Sequence, residues 1–186
     1  KQDCELKPFV RLAEKLKIIF PRLAICLCAD GLYPNNTFFN ICQDYDWNYI
    51  VTLEDGNLKT FWQTIGLLQK DYKNTRFRKG VDEYIQHFQW LNQIDFKGFF
   101  HNWLQLDEQV INSSQANKTQ RKFAYMTNFP LNEENIELIS EYGRLRWKIE
   151  NEGFDQQKNH GYNICHKYCR NSYIGMKNFY QCCQIA

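Results

Sequence analysis

Residues 23–31 read LAICLCADG, and this short stretch decides the fold class. Residues 23–29 are all apolar, which predicts a strand buried on both faces, as in a parallel sheet. The strand is followed by Asp30 and Gly31, a pair that is typical of turns. We therefore expect a buried strand that ends in an acidic turn.

The segments on either side of this strand have helical and strand periods in alternation. Upstream, residues 3–20 carry apolar side chains at helical spacing, with Asp3 as the predicted N-cap and Pro21 as the stop. Downstream, the pattern predicts a helix, a strand and a helix, at residues 35–45, 49–53 and 58–68. This order predicts an α/β layer with parallel strands.

After residue 80 the pattern changes to alternation of apolar and polar residues. Each of three predicted strands places its inward side chains on one face: Tyr84, Gln86, Phe88, Trp90, Asn92, Ile94 and Phe96 in the first, Phe99, His101 and Trp103 in the second, and Phe123, Tyr125, Thr127 and Phe129 in the third. A polar loop at residues 112–120 separates the last two strands. Such alternation predicts a β-rich antiparallel insertion outside the α/β layer.

A helical period returns near the end of the chain. Asn132 is the predicted N-cap, and Leu131 with Ile136 has the spacing of a hydrophobic staple. The predicted core stripe of this helix consists of Leu138, Tyr142, Leu145 and Ile149. The chain thus divides into the first part of an α/β core at 1–80, the insertion at 81–130 and C-terminal core helices at 131–186.

Composition narrows the class of protein. The 186 residues are 44% hydrophobic and 16% aromatic, which is enough for a buried core and excludes a mainly disordered chain. No apolar run approaches the ~20 residues of a membrane helix, so we expect no membrane partner. The first residue is Lys1 and the last predicted helix has no C-cap, so we expect a segment of a longer protein.

The net charge of +2 neither indicates nor excludes a nucleic-acid binder, because charge can be local. Residues 70–79 contain five basic side chains and one acidic side chain. This cluster is either a DNA contact or a solvated linker, and both interpretations stay open.

Two carboxylates are candidate metal ligands. Asp30 follows the buried strand, and ligands of open α/β sheets gather beyond the carboxyl ends of strands. Glu150 follows Arg146 and Lys148 on one predicted helix, where basic side chains could bind phosphate. The plainer alternatives are a simple turn at Asp30 and an ordinary solvated helix face with Arg146 paired to Glu150.

The eight cysteines do not form the pattern of a small secreted disulfide scaffold, so free thiols are expected. His160, Cys165, His166 and Cys169 suggest a zinc site instead. Adjacent Cys165 and His166 fit tetrahedral chelation poorly, and incidental thiols are the favoured interpretation.

The stretches KQDCELKPFVRLAEKLKIIFPRLAICLCADGLYPNN and GRLRWKIENEGFDQQKNHGYN, with the β-rich insertion between them, resemble insertion-sequence transposases of the DDE class. The similarity is to the branch with a Tyr-Arg-Glu-Lys signature, and it covers nearly the whole chain. It implies a partial ribonuclease H-like fold. It also implies double-stranded DNA, both transposon ends and target, as the partner.

The resemblance further implies roles for single residues. Asp30 matches the second catalytic Asp, Glu150 matches the catalytic Glu, and both would hold two divalent ions, Mg²⁺ or Mn²⁺. Arg146 matches the signature Arg, and Lys158 lies one residue beyond the signature Lys. Arg146, Lys148 and Lys158 are the expected DNA contacts.

Three further expectations follow from the resemblance. The first catalytic Asp of the family would lie upstream of Lys1, so the chain alone is expected not to cleave DNA. The full-length relative would act as a homodimer in a prokaryotic cytoplasm, at the nucleoid. The alternatives are a non-catalytic DNA-binding remnant and, less favoured, a small zinc-binding interaction module.

Overall fold

The computed structural model describes residues 6–54, 56–112, 117–160, 169 and 171–185. Its elements are α1 (Leu6–Ile19), β1 (Cys26–Ala29), α2 (Asn36–Tyr45), β2 (Asn48–Thr52), α3 (Lys59–Leu67), β3 (Asp71–Lys79), β4 (Asp82–Phe96), β5 (Phe99–Asn112), β6 (Asn117–Thr127), α4 (Ile136–Arg144), α5 (Arg146–Lys148), a π-helical turn (Ile149–Phe154), α6 (Asp155–Asn159) and α7 (Tyr173–Ile185). They belong to two compact units, residues 1–143 and 144–186, and each is described by itself. No described helix is long and apolar enough to cross a membrane.

The first unit contains one mixed sheet of six strands in the order β1-β2-β6-β5-β4-β3. The pair β1–β2 is parallel and the other pairs are antiparallel. The protein is therefore of mixed α/β class, and the alternating helices and strands predicted for its first 70 residues are confirmed. Asp3, the predicted N-cap of α1, lies outside the described residues.

The antiparallel strands were predicted correctly, but their separation from the α/β layer was not. Strand β6 pairs with β2 through Val51 and Met126, so β3–β6 continue the same sheet. The antiparallel part begins with Asp71, ahead of the predicted boundary at residue 81. The predicted loop at 112–120 is shorter, because β5 ends at Asn112 and β6 begins at Asn117, and residues 113–116 lie outside the described part.

Both faces of the sheet are covered where it meets the helices. On one face Val51, Trp103 and Met126 pack with side chains of α1, α2 and α3. On the other, their strand neighbours Leu104 and Tyr125 pack with Ile136 and Ile139 of α4. Since side chains alternate along a strand, the sheet separates two hydrophobic cores.

A bulge in β4 exchanges the two faces within one strand. The register between β4 and β5 shifts between Leu91 and Ile94, and Gln93 adopts a φ of 61°. Phe88 and Trp90 therefore belong to the core under α4, whereas Ile94 belongs to the core under α1–α3. The prediction of one shared face from Tyr84 to Phe96 is wrong, because a bulge breaks the period of two.

Strand β1 lies at the edge of the sheet, not inside it as predicted. Of its four residues only Ala29 is buried, and Leu23 is 55% exposed and precedes the strand. An apolar run specifies a strand but not its position in the sheet.

Helix α4 begins at Ile136, four residues after the predicted N-cap Asn132, and packs through a different face than predicted. Leu131 and Ile136 are both buried in one core, as the staple requires, and the Asn132 side chain accepts hydrogen bonds from the backbone N–H of Glu134 and Asn135. The predicted core stripe is exposed instead, at Leu138, Tyr142, Leu145 and Ile149. The buried residues of α4 are Ile136, Ile139, Ser140 and Gly143.

Small side chains explain this choice of face. A Cβ on Gly143 would lie 2.7 Å from Cδ1 and from Cζ of Tyr125, so only glycine allows the helix to approach the ring so closely. A larger side chain at position 143 would collide with Tyr125.

Candidate functional site

Asp30 begins the turn that follows β1. Its Oδ1 accepts a hydrogen bond from the backbone N–H of Leu32 at 3.0 Å, and its carbonyl accepts one from the N–H of Tyr33 at 3.2 Å. The side chain is half-buried, and its Oδ2 has no hydrogen-bond partner among the described residues. The turn thus fixes the carboxylate through one oxygen and leaves the other for a ligand.

The turn at Asp30 lies beside the carboxyl end of β2. In the parallel register Ala29 is opposite Val51, so the two strands end at the same edge. A Cβ on Gly31 would lie 3.3 Å from Nδ2 of Asn57 and 3.4 Å from the carbonyl oxygen of Thr52. The Asp30 turn therefore packs against the segment after β2, at an edge where α/β sheets bind ligands.

Glu150 lies in the second unit, on the π-helical turn Ile149–Phe154. The α-helical period used for the sequence prediction therefore does not hold around this residue. Asp30 and Glu150 belong to different units, and their approach stays a prediction. Turns of π-helix are rare and occur frequently at functional sites.

The predicted DNA contacts of the second unit are on short helices. The Arg146 guanidinium lies 4.9 Å from the ring centroid of Trp147. Lys148 Nζ lies 4.0 Å from Glu152 Oε1, and both side chains are mostly exposed. Lys158 is exposed in the last turn of α6. An exposed pair such as Lys148–Glu152 is weak enough to yield to a phosphate.

The basic cluster at residues 70–79 is largely part of strand β3 and is partly neutralised. Lys73 Nζ lies 2.6 Å from Glu137 Oε1, and Arg76 Nε lies 2.9 Å from Glu83 Oε1. The Arg76 hydrogen bond lowers the pKa of the Glu83 carboxyl. The interpretation as a solvated linker is wrong, because these residues form a strand that pairs with β4. The acidic partners of the basic side chains come from neighbouring elements.

Two of the four residues of the proposed zinc cluster, Cys165 and His166, lie outside the described residues. His160 Nε2 lies 2.8 Å from Asp155 Oδ2. A hydrogen bond from Asn159, which is the larger cause, and one from His160 lower the pKa of the Asp155 carboxyl. Within the described ranges, no three His, Cys, Asp or Glu side chains are grouped to hold a metal ion.

His101 and Tyr49 form a buried pair that the sequence did not predict. The alternating pattern of β5 predicts that His101 points inward, but nothing in it identifies Tyr49 of β2. Nε2 lies 3.1 Å from the Phe96 carbonyl and so donates to it, which leaves Nδ1 to accept from the Tyr49 hydroxyl at 2.5 Å. Burial lowers the pKa of His101 to about 4 and raises that of Tyr49. This neutral pair stabilises the core.

The thiols of β1 are a second group without a sequence signal. A hydrogen bond from Cys26 lowers the pKa of Cys28 to about 7, and the same bond raises the pKa of Cys26. Burial raises the pKa of Cys42 to about 12.

No protein-family model matches the chain, and no curated protein matches it in sequence.

Proposed function

We propose that the chain is a segment of a DDE transposase, in which Asp30 and Glu150 are two of the three carboxylates that hold a pair of divalent ions. The observation that carries the proposal is the position of Asp30, directly after β1 and beside the end of the parallel strand β2. Its half-buried carboxylate is fixed through Oδ1 alone. Carboxylate oxygens are the ligands that Mg²⁺ prefers.

The order of the elements and the type of helix at Glu150 support the same proposal. Four antiparallel strands, β3–β6, separate the Asp30 turn from the helices that carry Glu150. This order agrees with a transposase branch that has a β-rich insertion between the second Asp and the Glu. Glu150 itself lies on a π-helical turn. A partial ribonuclease H-like core is the finer fold that we propose.

The residues fit divalent ions as oxygen ligands, and each is given a limited role. Asp30 and Glu150 would hold Mg²⁺ or Mn²⁺. Such ions, when bound as a pair, stabilise the attacking and leaving oxygens of a phosphodiester. Arg146, Lys148 and Lys158 would bind phosphate oxygens and orient the DNA strand.

The proposal extends to partners and location. Its partner is double-stranded DNA, at transposon ends and at the target, and the full-length protein would act as a homodimer at the nucleoid of a prokaryotic cytoplasm. The chain as given would bind DNA without cleaving it, because the third carboxylate is not among its matched residues.

DNA binding tests the basic residues. We expect weak binding to a duplex with a steep salt dependence between about 50 and 200 mM salt. Joint replacement of Arg146, Lys148 and Lys158 by alanine should reduce the slope of log K against log salt by about one for each phosphate that is no longer neutralised. The matched control replaces three exposed lysines of the first unit, Lys7, Lys15 and Lys59. Equal slopes for both triple variants would contradict the assignment.

A nicking assay distinguishes an enzyme segment from a DNA-binding remnant. The chain as given should not nick duplex DNA with Mg²⁺ or Mn²⁺. A chain extended upstream through a strand that ends in Asp should nick it, and the activity should disappear on Glu150→Gln. If an extended chain binds DNA and never cleaves it, the remnant is the better account.

A further inference from the structure

Strand β1 carries two thiols on the same face of the sheet. Cys26 and Cys28 are two positions apart, which is the period of a strand, so their side chains project in the same direction. Leu27 and Ala29 alternate with them and pack into the core under α1–α3. The thiols therefore lie on the opposite face from that core.

Both thiols of the pair are at least partly accessible. Cys26 is exposed, Cys28 is half-buried, and neither forms a disulfide. The Cys28 thiol lies 3.6 Å from the Tyr142 carbonyl oxygen, to which it donates. Because β1 is the edge strand of the described sheet, a small ion can reach the pair without moving another strand.

The donor set selects the kind of ion. Within the described residues no third His, Cys, Asp or Glu side chain joins a metal-binding group, whereas Zn²⁺ in structural sites takes four ligands. Two sulfur donors favour a soft ion, and among biological metals Cu⁺ is soft and is stable with two sulfur ligands. Carboxylates such as Asp30, two residues beyond Cys28, suit hard ions instead.

We propose that Cys26 and Cys28 form a two-coordinate site for Cu⁺. On binding, two S–H bonds are replaced by two S–Cu bonds, both protons go to solvent, and copper stays in the +1 state. This site is independent of the proposed function, since it uses neither Asp30 nor Glu150.

The test uses the full chain in which Cys4, Cys165, Cys169, Cys182 and Cys183 are replaced by serine, so that Cys26, Cys28 and Cys42 remain. Cu⁺ is offered anaerobically as its coloured bicinchoninate complex, and the loss of colour gives the number of ions transferred. We expect one ion per chain. Cys26→Ser and Cys28→Ser should each abolish the transfer, and the control Cys42→Ala, which removes a buried thiol, should retain it.

Copper X-ray absorption of the loaded protein adds an independent readout, for which we expect two sulfur neighbours. Undiminished transfer to Cys26→Ser or Cys28→Ser would overturn the proposal, as would three or four sulfur neighbours. If the five-serine background does not fold, Cys26→Ser in the otherwise unaltered chain carries the test, because Cys26 is exposed. Copper stoichiometry should then fall by one, and an unchanged stoichiometry would overturn the proposal.

Discussion

The packing of α4 against Tyr125 gives the sharpest stability prediction, for Gly143→Ala. The added Cβ would lie 2.7 Å from Cδ1 and from Cζ of Tyr125, and closer still to Cε1. Optimal carbon contacts are ~3.5–4.0 Å apart, so the overlap reaches ~1 Å. Tyr125 is 0% exposed, so the ring cannot move aside into solvent. Overpacking of this kind costs ~1–3 kcal/mol, whereas alanine in place of glycine in a helix gains up to ~1 kcal/mol.

The matched control is Gly66→Ala in α3, where an added Cβ would have no atom within 4 Å. This variant should be as stable as the parent or more stable, by ~0.5 kcal/mol. Urea unfolding of the full chain, followed by tryptophan fluorescence, gives both free energies by linear extrapolation. We expect Gly143→Ala to be less stable than Gly66→Ala by ~1–3 kcal/mol, because the helix gain is common to both variants and only Gly143→Ala overpacks. If Gly143→Ala is as stable as Gly66→Ala, α4 does not pack on Tyr125 in this way.

Two further stability predictions concern His101 and the buried face of α4. Burial lowers the pKa of His101 from 6.5 to about 4, so below pH 6.5 the unfolded chain binds a proton that the folded chain refuses. The free energy of unfolding should therefore fall by about 2 kcal/mol between pH 7 and pH 5. In urea titrations a His101→Gln variant should lose most of this pH dependence. If the variant and the parent show the same pH dependence, His101 lies in water. Ile139 is 4% exposed and its neighbour Leu138 is 47% exposed, so Ile139→Ala should cost ~2–4 kcal/mol and Leu138→Ala less than ~1 kcal/mol in thermal melts. If Leu138→Ala costs more than Ile139→Ala, α4 packs through the apolar stripe that the sequence predicted.

Local patterns predicted the elements of this fold better than their arrangement. Alternation identified β4, β5 and β6 because one residue in two faces a core. It could not reveal that β6 would pair with β2, since register depends on contacts far apart in sequence. The bulge at Gln93 also has no local signature, and it moves Ile94 to the other core.

The choice of face on α4 shows a second limit. Leu138 and Tyr142 form an apolar stripe in the sequence, whereas the helix packs through Ser140 and Gly143 together with two isoleucines. Hydrophobicity alone favours the larger side chains. Close approach to Tyr125 requires the smaller ones, and this requirement is visible only when β6 and α4 are placed together.

For the candidate site, the sequence located Asp30 after its strand, and the structure has it there. The hydrogen bond from Leu32 and the neighbouring end of β2 were not predictable, because they depend on how the turn folds back. The π-helical turn at Glu150 was also missed, since spacing arguments assume an α-helix throughout.

The measurement that tests the central claim most directly is Mn²⁺ binding to the full chain, followed by electron paramagnetic resonance. Asp30→Asn keeps the oxygen that accepts from Leu32 and removes the charge, and Glu150→Gln does the same for the second carboxylate. The control Glu152→Gln changes an exposed carboxylate two residues from Glu150. We predict that Asp30→Asn and Glu150→Gln each weaken Mn²⁺ binding strongly, that the double variant is no weaker than the worse single variant, and that Glu152→Gln has little effect. Unchanged binding in both single variants would contradict the claim that Asp30 and Glu150 share a divalent-ion site.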